Sequence, residues 1–137
     1  MAKLYTTLTE YIPLLRDDSF GKWIVDREND GTLEHPINFP FVSYSAMVRN
    51  ITDDIYSFER EHPEYDMKRY GQILEENNIE WEMESMLAVD TSKMDGRTIM
   101  AMLMGAVRAE RFCDGALLDI FKSGYILKWL ERLNSIE

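Results

Sequence analysis

Apolar residues recur along most of this chain at the three- and four-residue intervals of amphipathic helices. Leu4, Leu8, Tyr11, Ile12 and Leu15 share a face and predict a first helix over residues 3–16. Pro13 lies inside that pattern and, lacking a donor N–H, should kink or restart it. Met47, Val48, Ile51, Ile55 and Phe58 predict a second helix, capped by Ser43 or Ser45 and stopped by His62-Pro63. Asp53, Asp54 and Arg60 should face water. A shorter third helix carries Met67, Tyr70, Ile73 and Leu74 and ends near Asn77-Asn78, both tolerant of a left-handed backbone. Residues 79–87, IEWEMESML, mix alternation with helical spacing and stay unassigned.

The pattern changes twice more. Residues 20–42 hold two of the four prolines, Pro36 and Pro40, and Asp30-Gly31, a turn dipeptide. Trp23-Ile24-Val25 before that turn predict a short strand, half of a small hairpin. The alternative is an ordered loop pinned to the core by Trp23, Phe39 and Phe41. From Ser92 or Asp95 a capped helix runs through residues 95–112, and apolar side chains surround it, the mark of an element buried on every side. Gly115 and Gly124 then bracket a short helix, ALLDIFKS, before a last amphipathic helix with Ile126, Trp129, Leu130 and Leu133 on one face. The expected fold is mostly α: one domain over residues 1–137, a helical bundle around the central helix 95–112, with a hairpin or ordered loop at 20–42.

Composition narrows the function classes. The net charge of −10 is concentrated in residues 50–90, which carry twelve acids against three bases. Such a surface repels nucleic acid, and no Lys/Arg stripe tracks phosphates. Cys113 is the only cysteine, so a reducing cytoplasm is the expected compartment. It follows an apolar helix and is expected to be a buried small hydrophobe. The longest oily run, Ile99 to Val107, is about half of a ~20-residue membrane span, so no membrane association is expected.

Two features of the central helix stand out as candidate sites. Ala101, Gly105 and Ala109, four apart, form a strip without bulk on which a neighbouring helix backbone can close. Arg108, Glu110 and Arg111 diverge around the last turn, with Asp114 just beyond. An inward-facing arginine needs a carboxylate, so the cluster is either an internal ion-pair network, with Glu110, Asp114, Asp119 and Glu131 as partners, or an arginine-lined pocket for an anion.

Other chemistry is thin. His35 and His62 are far apart, each followed by proline, and no transition-metal motif is present. Asp53, Asp54, Glu75, Glu76, Glu80 and Glu84 offer hard oxygen ligands, but without the repeated Glu-x-x-Glu spacing of a magnesium-dependent nucleotide hydrolase. A solvated acidic face is the simpler account, and no cofactor is predicted. Met94, Met100, Met102 and Met104 suit core filling or an adaptable contact surface.

The segment AVRAERFCDGALLDIFKSGYILKWLERL resembles the C-terminal signature of a bacterial family known only as a domain of unknown function. Glu110-Arg111-Phe112, Gly115, Gly124 and Trp129 carry that resemblance in order, supported by YIPLL, FPFVSYS and HPEYDMKRYGQILEENNIEWEMESM upstream. The resemblance implies a small helical fold and no particular activity. The leading functional expectation is a non-enzymatic, acidic interaction protein that binds a partner or itself through apolar, Met-rich surface. The rivals are a binder or enzyme for an anionic small molecule at Arg108, Glu110 and Arg111, and a carboxylate–magnesium hydrolase. A concave pocket opening onto those arginines would separate them.

Overall fold

A computed structural model describes residues 5–25, 31–34, 41–79 and 91–136. The first helix is divided at its proline. α1 spans Thr6–Thr9 and α2 Ile12–Leu15, with Pro13 in the first turn of α2, where its missing N–H leaves no hydrogen bond unmade. α3 (Ala46–Glu61) starts on Ser45, whose Oγ accepts the Val48 N–H at 3.3 Å, and ends before His62-Pro63. Asp53 and Arg60 face water as the pattern predicts. Asp54 does not: it is half-buried and accepts the Tyr11 hydroxyl at 2.6 Å, an acceptor the helical spacing could not reveal. Short 3₁₀ turns at Pro63–Tyr65 and Met67–Arg69 lead into α4 (Tyr70–Glu76), and Asn78 takes a φ of 61° after it. Of the unassigned stretch 79–87, all but Ile79 lies outside the described residues.

α5 (Gly96–Ala109) is the centre of the molecule. Asp95 caps it, accepting the Thr98 backbone N–H at 2.9 Å and the Thr98 hydroxyl at 2.6 Å. Every residue from Thr98 to Val107 is buried, and α3, α4, α6 (Ala116–Lys122) and α7 (Tyr125–Ser135) all pack on it. All-round apolarity therefore has its expected cause. Trp129, Leu130 and Leu133 of α7 face the same core. Met94, Met100, Met102 and Met104 are all buried, so these four thioethers fill the interior. The C-terminal boundary of the helix falls short of the predicted residue 112. The chain leaves α5 at Ala109 because a tight turn over 110–115 folds it back into α6.

The turn has a second consequence. Cys113 lies in it and is exposed, which corrects the expectation of a buried thiol: the helix that would have carried it inward has already ended. Gly115 closes the turn at φ 88°, left-handed backbone that a Cβ would strain, and a side chain there would also run into the Trp23 ring.

Trp23 belongs to a two-stranded antiparallel ribbon. β1 (Gly21–Ile24) pairs with β2 (Phe41–Tyr44), Gly21 opposite Tyr44 and Ile24 opposite Phe41. The hairpin reading thus holds over the loop reading, but the partner strand does not follow directly on Asp30-Gly31. Nor are the aromatics core anchors. Trp23 is 45% exposed and Phe41 52%, since a two-stranded ribbon on the flank can bury only part of its inner face. Phe39 lies outside the described residues. Among the described residues no helix is long and apolar enough to cross a membrane.

Candidate functional site

The end of α5 departs from the otherwise sealed core. Glu110, the first residue past the helix, turns its carboxylate toward the start of α6. Its two oxygens accept the Gly115 N–H at 3.0 and 3.1 Å, and Oε1 also accepts the Leu117 N–H at 3.1 Å. These are N–H groups that a helix start leaves without intrahelical partners, and a carboxylate also suits the positive end of the dipole. The Tyr44 hydroxyl donates to the same carboxylate and accepts the Leu118 N–H at 3.1 Å. Burial first, then this hydrogen bond, pushes the Tyr44 hydroxyl pKa well above its ordinary value. One acid thus ties β2, the turn and α6 together.

The two arginines flanking Glu110 find no such partner. Among the described residues, no carboxylate lies within 4.0 Å of the guanidinium of Arg108 or Arg111. Arg108 is half-buried, its Nε is shielded from solvent without a hydrogen-bond partner among the described residues, and its guanidinium sits 5.7 Å from the Tyr70 ring centre. Arg111 is exposed and lies 6.0 Å from the Tyr56 ring centre. Asp114 is exposed in the turn and joins none of the ion pairs of the described residues; Glu131 pairs at 3.8 Å with Arg16 of the N-terminal region instead. The internal ion-pair network expected between α5 and the last two helices is not formed among these residues. In the small-residue strip, Ala101 and Gly105 are buried and Ala109 is half-buried, so most of its length is covered.

Beside Arg111 a pocket of about 400 Å³ opens between α3, the end of α5, β2 and α6. Its apolar lining is Val48, Val107 and Leu117; its aromatic lining is Tyr44 and Tyr56. Two cations, Arg49 and Arg111, and two carboxylates, Asp53 and Glu110, complete it with Thr52. Glu110 is occupied as described. Thr52 donates its hydroxyl to the Val48 carbonyl at 2.9 Å and keeps lone pairs for an acceptor role. Arg49, Asp53 and Arg111 join no ion pair among the described residues. The volume is that of a small-molecule site, apolar with a few convergent polar groups. Arg108 is not among the residues that line it, so the structure separates the two arginines that the sequence groups together.

A smaller cavity of about 220 Å³ lies between α1 and α3, against Tyr5, Asp54, Glu61 and His62. Its polar groups are largely engaged. Tyr11 takes Asp54, His62 Nδ1 is 3.0 Å from Glu64 Oε1, and the Tyr5 and Tyr65 hydroxyls are 2.6 Å apart. No group of three or more His, Cys, Asp or Glu side chains among the described residues is arranged to hold a metal ion; Glu80 and Glu84 lie outside them.

The Glu110 turn, Gly115 and the α6–Gly124–α7 path are built by the residues on which the sequence resemblance rests. The chain belongs to DUF6508, a family of unknown function. The match runs over residues 1–137. Comparison with curated proteins and with solved structures gives no match. Membership in DUF6508 therefore brings no reaction or ligand with it, and any function has to be argued from the pocket.

Half of that pocket escaped the sequence reading. Arg49, Thr52 and Tyr56 carried no motif, and Tyr44 stood only within the resemblance segment FPFVSYS. A signal was present all the same. Val48, Arg49, Thr52, Asp53 and Tyr56 recur at the i, i+1, i+4, i+5, i+8 spacing of one helical stripe, adjacent to the core stripe and mixed in polarity.

Proposed function

We propose that this protein binds a small organic anion with an apolar body in the pocket beside Arg111. The observation that carries the reading is the pair of guanidiniums, Arg49 and Arg111, at a cavity with an apolar floor and without a carboxylate within 4.0 Å of either among the described residues. A planar guanidinium offers paired donors to a carboxylate or phosphate, and Val48, Val107 and Leu117 would take the rest of the ligand out of water. The chemistry offered is recognition, so the reading is of a binder rather than an enzyme. It favours the anionic-ligand expectation over the partner-binding one, with Arg49 in the place expected for Arg108.

Thermal unfolding against a panel of organic carboxylates and phosphate monoesters tests it. A ligand that binds the folded chain raises the midpoint by mass action. Arg49→Met and Arg111→Met should each abolish the shift while leaving the unliganded midpoint where it was. Failure of every anion at millimolar concentration to move the midpoint would overturn the reading.

A further inference from the structure

Among the described residues, the charges at this pocket that join no ion pair are two guanidiniums and one carboxylate. Glu110 is satisfied by the backbone of the turn, by α6 and by Tyr44. Asp53 is different: it is exposed, lines the same cavity and joins no ion pair among the described residues. A simple anion would be drawn to Arg49 and Arg111 and pushed away by Asp53, so the lining does not complement it fully. From this we infer, building on the anion-binding reading above, that the ligand is a zwitterion: a free α-amino acid with an aliphatic or aromatic side chain.

The geometry suits that class. Arg49 and Asp53 are four residues apart on α3, which places them one above the other on one face, with Cβ atoms roughly 5–6 Å apart. An α-amino acid carries its carboxylate and ammonium on one carbon and needs a cation and an anion side by side at one edge of its site. Arg49 and Asp53 supply that pair on a rigid helix. Arg111 reaches the carboxylate from the end of α5, and the Tyr56 ring beneath its guanidinium limits where that group can point. Val48, Val107 and Leu117 are left to receive the side chain, which selects for apolar ones.

Calorimetric titration of the full chain with the apolar and aromatic amino acids tests the inference. The best-bound one is then compared with its deaminated acid and its decarboxylated amine. The amino acid should bind at least tenfold more tightly than either analogue, because each analogue leaves a charged group of the site unpaired. Asp53→Asn should weaken the amino acid at least tenfold while leaving the deaminated acid unchanged or better bound, which also shows that the variant is folded. A deaminated acid that binds as tightly as the amino acid overturns the zwitterion and leaves the anion reading standing. Binding of the amine alone, or of neither acid nor amino acid, overturns both.

Discussion

The two ends of α5 are built on opposite plans. At the N-terminal end each prominent polar group has a structural task. Asp95 holds Thr98, Arg97 Nε donates to the Tyr65 carbonyl at 3.2 Å, and Arg132 Nε donates to the Met94 carbonyl at 3.0 Å. Gly96 is buried against the Tyr5 ring, leaving no room for a side chain. At the C-terminal end one acid carries the structural load, and among the described residues Arg108 and Arg111 join no ion pair, Arg111 beside the pocket. One end closes the core; the other leaves these two arginines outside the ion pairs of the described residues. A charge retained where the fold does not need it is a reason to look for function.

Six substitutions test this contrast, taken from the largest expected effect. Gly96→Val would drive a side chain into Tyr5, which stacks on Phe58 and meets the Tyr65 hydroxyl. Overpacking a closed site of this kind should cost about 3 kcal/mol in urea unfolding, and a tolerated valine would show that the N-terminal end is not closed. Glu110→Ala leaves the Gly115 and Leu117 N–H groups without their acceptor and takes the acceptor from Tyr44. It should cost about 2 kcal/mol, measured the same way, and stability at wild-type level would remove the structural role assigned to that acid.

Asp95→Ala removes the cap and should cost about 1 kcal/mol. The ends should also respond to opposite extremes of pH. The Thr98 hydrogen bonds hold the Asp95 carboxyl below its ordinary pKa of 3.8, so its contribution is present above that pH and is lost on further acidification. The Tyr44 hydroxyl is held above its ordinary 10.0. Its contribution is complete below pH 10 and is lost as pH rises through the raised value. Urea midpoints across both ranges should fall at each extreme, with the alkaline limb flattened in Tyr44→Phe and the acid limb flattened in Asp95→Ala.

The smallest effect is expected for Arg108→Met and Arg111→Met, within about 0.5 kcal/mol of the parent chain. Removing the half-buried Arg108 also removes an unpartnered Nε, so a slight gain is expected there. A loss of about 3–5 kcal/mol, the cost of breaking a buried ion pair, would make the two ends alike and end the contrast.

What the sequence made legible follows the same division. Helical periodicity, proline and glycine placed α3, α4, α5 and α7 close to where they lie, because those signals are local. Burial of Met100, Met102 and Met104 was legible for the same reason, since apolar residues on every side of a helix leave it only an interior position. The pocket was not. Glu110 becomes a cap only because the 110–115 turn brings back the N–H groups of α6, and Tyr44 reaches it only because β2 folds against the helices. Cys113 was misplaced by the same turn. Arg108 and Arg111 look equivalent in sequence, three residues apart, yet their aromatic neighbours are Tyr70 and Tyr56, which enter from different elements.

The contact between Tyr44 and the N–H of Leu118 joins positions 74 apart, and this sets an order of events. Distant closures form late and slowly, after the loop-closure entropy has been met by other contacts. During synthesis α3 leaves the ribosome with its mixed stripe of Arg49, Asp53 and Tyr56, but without α5 and α6 to wall it. A growing chain therefore carries Arg49 and Asp53 long before the cavity they line exists, and the pocket comes into being only when Leu117 and the residues past it can turn back onto it.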